Sequence, residues 1–399
     1  MNYAFSDKIA TLRPSAIREI FKVLENPEVI SFAGGNPDPA TFPSKEMAEI
    51  AARLFRTNSP AALQYGITEG YSQLRELTQR RIKEKYKIGT SNDMLIITSG
   101  GQQAIELLTK VLVNEGDAVL CEDPSFIGAL NAFRSYNAKL VGVRSDDGGM
   151  DMGSLEEKLK TTKNVKFIYV IPTFQNPSGR TLSIGRRKEL LRLASKYGVM
   201  ILEDNPYFEL RYSGEYVPPV KSLDTEGLVV YAGSYSKILS PGMRIGFAVA
   251  PKPVAEKMVV AKQVADVHTN QFFSMLVAEY LKTCDIDAHI TDVCGLYRKK
   301  RDLMLSELSK RFDGRVTFTR PEGGIFVWCS LPEGCDGVDL CRRFSDKKVA
   351  AVPGSTFMVD EKAPCPAVRL NFSMPSSDQI VKGAELMGEA LDEYLRHTL

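Results

Sequence analysis

Seven short, largely apolar runs constrain this chain more than any other feature. They lie at 95–98, 118–121, 139–143, 165–170, 199–202, 228–231 and 245–249. Stretches with helical spacing separate most of them, near 102–114, 126–135, 153–161 and 183–197, and a further one spans 253–282. Strands that are apolar throughout, rather than at every second residue, are what a parallel sheet needs when helices cover both its faces. The expected fold is therefore α/β, a doubly wound, mostly parallel seven-stranded sheet. The connection 233–244 is too short for a crossover helix and contains Pro241 and Gly242, so the last strand is expected to run antiparallel to the one before it. After about residue 283 the pattern changes. A long helical stretch (286–312), short apolar runs around 316–318, 325–328, 349–352 and 368–372, and helical stretches at 337–347 and 377–396 indicate a smaller α+β C-terminal domain. The expected division is an N-terminal arm and lid segment, 1–44, a large domain, 45–282, and the small domain, 283–399.

In open sheets of this kind ligands bind beyond the carboxyl ends of the strands. The residues expected there are chemically varied. Ser99-Gly100-Gly101-Gln102 opens a helix, and its small residues and free amides suit a phosphate. Phe126 offers an aromatic face, Asn176 an amide, Asp204 a carboxylate and Tyr207 a phenol. Each alone has a plain reading: Asp204 as a helix cap, Asn176 as a turn former, Phe126 as core. Their convergence on one edge favours a site.

The turn between the last two runs adds Gly233-Ser234-Tyr235-Ser236-Lys237 and Arg244. A lysine between two core strands is costly unless it is paired, solvated or used covalently. Imine formation is one such use. Ser234, Ser236 and Arg244 beside it form an anion site suited to a phosphate. Phosphate next to an imine-forming lysine suggests pyridoxal 5'-phosphate. The alternative is a solvated loop lysine.

Other stretches stay open at this level. Residues 30–39, with Gly34 and Gly35, are either a connector or a segment that approaches a ligand closely. Arg18, on an expected helix over 9–24 broken by Pro14, is either a solvated residue or a substrate contact. Tyr65 and Tyr71 lie on a polar loop ahead of a helix at 72–86 and read as packing or chemistry. Arg369 alternates with apolar neighbours in a strand. It is an edge charge, half of an ion pair, or a fork for a substrate carboxylate.

Composition excludes several classes. With 51 basic and 49 acidic residues, nothing favours nucleic acid or an anionic membrane surface. No apolar run approaches a membrane span, and residues 1–8 hold no apolar signal core, so a cytoplasmic protein is expected. Seven scattered cysteines without a C-x-x-C pair, and only three histidines, lead to an expectation of reduced thiols and no metal site. No G-x-G-x-x-G opens the first helix of the sheet, which disfavours a nucleotide-binding reading.

Pro172-Thr173-Phe174-Gln175-Asn176-Pro177-Ser178-Gly179, Glu203-Asp204-Asn205-Pro206-Tyr207 and Ser234-Tyr235-Ser236-Lys237 with Arg244 resemble, in order and spacing, the fold-type-I pyridoxal-phosphate-dependent aminotransferases of class I/II. The similarity is to the 2-aminoadipate and kynurenine aminotransferase group and covers nearly the whole chain. It implies that Lys237 binds the cofactor aldehyde and then moves the substrate α-proton. It further implies that Asp204 pairs with the pyridine nitrogen, and that Asn176 and Tyr207 hold the ring hydroxyl. Phe126 would stack on the ring, where relatives often have tyrosine. Gly101, Gln102, Ser234, Ser236 and Arg244 would bind the phosphate, Gly101 standing where serine or threonine is common. Tyr65 would reach the cofactor of a neighbouring subunit, implying a homodimer with shared sites. Arg369, with Asn176 and Gly35 nearby, would take the substrate α-carboxylate, and Arg18 its distal group. The implied reaction moves an amino group from an L-amino acid to a 2-oxo acid, commonly 2-oxoglutarate. A β-lyase or decarboxylase on the same fold is the alternative. A non-catalytic regulator domain is a second one, but regulators that share this fold carry an N-terminal helix-turn-helix module, for which residues 1–30 are too short.

Overall fold

The computed structural model describes residues 3–10, 12 and 28–398. Asp7–Ala10 is helical; the remainder of the expected N-terminal helix, Arg18 included, lies outside the described residues. The strand β1 (Ile30–Ser31) pairs in parallel with Val349–Ala350 near the other end of the chain.

The large sheet contains β2 (Asp93–Thr98), β3 (Ala118–Asp123), β4 (Lys139–Asp146), β5 (Gly149–Met150), β6 (Val165–Val170), β7 (Met200–Asp204), β8 (Val229–Ser234) and β9 (Gly246–Pro251). Their order is β2-β9-β8-β7-β6-β3-β4-β5. Strands β4, β3, β6, β7 and β8 pair in parallel. β9 is antiparallel to both β8 and β2, as its short connection requires. The eighth strand, β5, is a two-residue hairpin partner of β4, too short to register as an apolar run.

Apolar continuity in the strands has the expected cause. Val119, Cys121, Phe167, Tyr169, Leu202 and Val230 pack on one face under the helices Gly101–Leu112 and Lys252–Ala265. Leu120, Ile168, Val170, Ile201 and Val229 pack on the other under Met152–Thr161 and Ile184–Tyr197. Successive residues among these alternate between two buried faces, which is why apolar side chains follow one another along the chain.

Two helical assignments need correction. The helical stretch expected over 253–282 is two helices, Lys252–Ala265 and Gln271–Thr283. The break contains Val267 at φ 64°, a conformation that β-branched residues rarely adopt. No Gly or Pro marks it; the signal present was Asn270, which caps the second helix by accepting from Phe273 N–H at 3.0 Å. The helix Ser44–Leu63 was not anticipated, and Asn58 and Pro60 kink it.

Beyond the long helix Ile286–Phe312, β10 (Thr317–Phe318), β11 (Phe326–Ser330), β13 (Val352–Pro353) and β14 (Ala367–Asn371) form an antiparallel sheet ordered β10-β11-β14-β13. The intervening β12 (Val349–Ala350) is the partner of β1. The single run expected over 349–352 is thus two short strands in different sheets. β14 is interior, with Arg369 opposite Trp328 on one side and Val352 on the other.

Glu203, fully buried at the end of β7, accepts from Val220 N–H (3.0 Å), Lys221 N–H (2.7 Å) and Asn205 Nδ2 (3.1 Å). It thereby ties down the segment after β7. Glu203→Leu orphans all three donors. It is expected to destabilise the protein by at least about 2 kcal/mol in urea unfolding, since each buried donor left unpaired costs about 1–3 kcal/mol.

Candidate active site

The carboxyl ends of β2, β3, β6, β7 and β8 open on a cavity of about 410 Å³. Gly35, Gly101, Gln102, Phe126, Asn176, Asp204, Tyr207, Ser234, Ser236, Lys237, Arg244 and Arg369 all line it. Every residue expected at the site is there except two. Tyr65 is 82% exposed, and its ring stands perpendicular to that of His268 with centroids 5.7 Å apart, away from the cavity lining. Arg18 is outside the described residues.

One end of the cavity is built for an anion. Gly100, at φ 81°, turns the chain from β2 into the helix Gly101–Leu112, whose first turn has no side-chain cap. Its free amides and the helix dipole favour negative charge. Arg244 adopts φ 56° just before β9 and lays its guanidinium against Gly100, donating to Ser99 O and Pro241 O at 3.3 Å each. Gly246 lets the start of β9 lie close against the same turn: a Cβ there would come within 2.6 Å of the Gly100 carbonyl carbon. Ser234 Oγ accepts from Ser236 N–H at 3.1 Å, which sets the two serines side by side.

Lys237 lies on the turn after β8, partly exposed to the cavity. Its Nζ donates to Gly35 O at 2.7 Å and sits 5.9 Å from the centre of the Tyr207 ring. Burial, with the charges of Arg244 and Arg369, pulls its pKa down to about 8. Asp204, the last residue of β7, is buried; desolvation pushes its pKa up to about 6, against the hydrogen bond from Tyr169. Phe126 leans across Gly128, where a Cβ would come within 2.4 Å of its ring, and Gln102 Nε2 donates to Gly128 O at 2.8 Å.

Arg369 is 1% exposed, between the rings of Phe326 (4.3 Å) and Phe357 (4.7 Å). It donates to Asn176 Oδ1 at 2.9 Å and to Ala33 O. Its Nε has no partner, and no carboxylate among the described residues pairs with it. Burial draws its pKa down to about 9. It is therefore neither an edge charge nor half of an internal ion pair. A buried cation facing a cavity calls for an anion from outside.

Tyr169 was read only as part of a buried strand, yet its hydroxyl donates to Asp204 Oδ2 at 2.7 Å. Its signal was a polar tip in an otherwise apolar run. Glu122, also passed over, is 1% exposed and accepts from Ile171 N–H at 2.9 Å, its pKa pushed by burial up to about 8.

Residues 27–385 match the aminotransferase class I and II family. The chain belongs to that family. It is 42% identical over 396 residues to an aromatic-amino-acid aminotransferase of Thermococcus litoralis, covering 98% of this chain and 95% of the relative. A solved kynurenine aminotransferase from Pyrococcus horikoshii, in complex with PMP, superposes with a TM-score of 0.94 at 40% identity, covering 98% of this chain and 97% of that one. An α-aminoadipate aminotransferase from Thermus thermophilus, complexed with N-(5'-phosphopyridoxyl)-L-leucine, gives 0.90 at 38% identity, covering 98% of both. The chain is thus a pyridoxal-phosphate-dependent aminotransferase of fold type I, transferring amino groups between amino and 2-oxo acids. The cavity fits that cofactor: an anion cradle, a lysine with a lowered pKa and a buried carboxylate line one volume.

Only a neutral amine attacks an aldehyde. Lys237 is the candidate amine in the cavity, and because burial lowers its pKa, the rate at which apo-protein combines with pyridoxal phosphate should rise with pH through about 8, not through the ordinary lysine value of about 10.4. Stopped-flow absorbance measures this. Arg244→Gln removes a neighbouring positive charge and should move the midpoint upward.

Proposed function

We propose that Lys237 holds the cofactor covalently and serves as proton carrier, that Asp204 faces the pyridine nitrogen, and that Arg369 takes the α-carboxylate of an L-amino acid. The observation that carries this reading is the unpaired, buried guanidinium of Arg369 in the same cavity as Lys237 and Asp204. Gly101, Gln102, Ser234, Ser236 and Arg244 hold the phosphate in this reading. Phe126 covers the ring, and Asn176 and Tyr207 contact its hydroxyl. When bound, pyridoxal phosphate supplies the electron-withdrawing ring that takes up charge from the substrate α-carbon. Asp204, as a carboxylate, favours the protonated form of the ring nitrogen. With the cofactor bound, Lys237 Nζ would be placed to take and return a proton at the substrate α-carbon, as base and then acid. Arg369 limits rotation of the substrate so that the α-C–H bond stays within reach of Nζ.

The reading extends to 2-oxoglutarate as amino acceptor, to Gly35 and Arg18 at the distal end of the substrate, and to donors with aromatic or long acidic side chains, as the names of the relatives suggest. It includes a cytoplasmic location, and no helix among the described residues is long and apolar enough to cross a membrane. It also keeps the division into an arm, 1–44, a large domain, 45–282, and a small domain, 283–399. A homodimer in which Tyr65 serves the opposite site is supported by exposed apolar residues: Leu63 at the end of its helix, Tyr65 and Ile67 on the loop that follows, and Val264 and Val267 shortly before His268 in the chain.

Lys237→Ala should eliminate the visible absorption band on adding pyridoxal phosphate and stop turnover. Arg369→Ala should raise KM for the amino acid about a hundredfold, the worth of about two charge-assisted hydrogen bonds, with little change in cofactor affinity. Equal losses of both affinities would refute Arg369 as the carboxylate site. Sedimentation velocity should give a dimer, and Tyr65→Phe should weaken cofactor binding while leaving the dimer intact. A monomer with full activity would refute the shared site.

A further inference from the structure

Asp204 does not stand alone at the end of β7. In the parallel pairing of β6 with β7, Tyr169 is opposite Leu202, so Asp204 is its diagonal neighbour on the same face of the sheet. The Tyr169 side chain is long enough to span that diagonal, and its hydroxyl meets Asp204 Oδ2 at 2.7 Å. The ring is fully buried and held edge-on by Phe133 at 5.3 Å. This leaves Oδ1 of Asp204 as the acceptor for a group in the cavity.

A buried phenol needs a partner for its O–H, and a buried carboxylate needs donors to remain charged. Here each meets the other's need. We propose that Tyr169 is a positioning residue that acts through Asp204: its hydroxyl orients the carboxyl and keeps it ionised toward the ring nitrogen of the bound cofactor. This rests on the role proposed for Asp204 above.

The surroundings make that donor consequential. The titratable groups facing the pair are Glu122 on β3, Tyr207 after β7 and Tyr231 on β8. None of them is a cation, and a negative charge on any would disfavour a charged Asp204. Lys237 and Arg369 line the same cavity, but neither forms an ion pair with Asp204 among the described residues. Desolvation raises the Asp204 pKa and the Tyr169 hydrogen bond lowers it. Burial and the Asp204 charge hold the phenol of Tyr169 well above its ordinary range, so it remains a neutral donor. Without the hydroxyl, Asp204 would be protonated at a higher pH and would lose its attraction for a protonated ring nitrogen.

The test is a double-mutant cycle on the full-length protein with Tyr169→Phe, Asp204→Asn and the pair. Tyr169→Phe keeps the ring that packs on Phe133. Each apo-protein is titrated with pyridoxal phosphate from pH 6 to 9, and kcat and KM are measured on the reconstituted enzyme. Tyr169→Phe should raise the cofactor dissociation constant at pH 7 about tenfold and move its acidic limb up by about one pH unit. It should lower kcat comparably, while KM for the amino acid stays within about twofold. In the Asp204→Asn background, Tyr169→Phe should add less than about twofold, because one residue acts through the other. Additive losses would mean that Tyr169 only supports the fold nearby, and an unshifted acidic limb would likewise overturn the proposal. If Asp204→Asn alone leaves affinity and kcat unchanged, the role of Asp204 fails and the proposal fails with it. If Asp204→Asn is damaging and Tyr169→Phe is silent, only the role of Tyr169 is lost.

Discussion

Desolvated charge around one cavity is the constraint that organises this protein. Lys237, Asp204 and Arg369 come from three separate elements, and burial shifts the pKa of each toward its neutral form. Holding such groups out of water without ion-pair partners costs folding free energy, and packed surroundings must offset that cost. Both faces of the large sheet are covered by helices, and the rings of Phe326 and Phe357 grip Arg369. The reward is chemical: an amine whose neutral form is within reach near physiological pH, and a guanidinium and a carboxylate each with capacity to spare for a bound ligand.

The sheet was legible because its strands are apolar on both faces, which leaves little room for other readings. The residues at the strand ends were legible for a related reason: once the strands are assigned, the polar residues after them must gather at one edge. What escaped had weaker signals. Val267 breaks a helix without glycine or proline, so periodicity ran through it. β5 has two residues. The helix Ser44–Leu63 lies outside the α/β alternation, and its interior Pro60 obscures the pattern. Tyr169 was hidden because an aromatic residue in a buried strand suggests packing, and only the position of its hydroxyl separates packing from polar contact. Arg369 could not be resolved between edge charge and carboxylate fork until β14 proved interior to its sheet.

The anion cradle is also tied to the exposed face. Asp266, at the break between two helices, accepts from Ser99 Oγ at 2.8 Å, Gln103 Nε2 at 2.7 Å and the buried Lys262 at 2.7 Å. Two residues on, His268 meets Tyr65. Ser99 and Gln103 belong to the turn that forms the cradle, so the same cluster supports the cradle and the loop carrying Tyr65. The strained backbone of Val267 lies between the two, which is where a position held by its surroundings is expected.

The antiparallel course of β9 has a consequence for how this chain can vary. The lysine that meets the cavity and the arginine that closes the cradle occupy one connection, Tyr235 to Ile245, whose ends are joined by a backbone hydrogen bond from Tyr235 N–H to Ile245 O at 3.1 Å. Both ends also enter neighbouring strands already in register. An inserted residue would therefore displace either Lys237 from Gly35 or Arg244 from Gly100. Most surface loops lengthen easily, but this one behaves like a ruler, and drift in its length is closed to the lineage while both side chains keep their places.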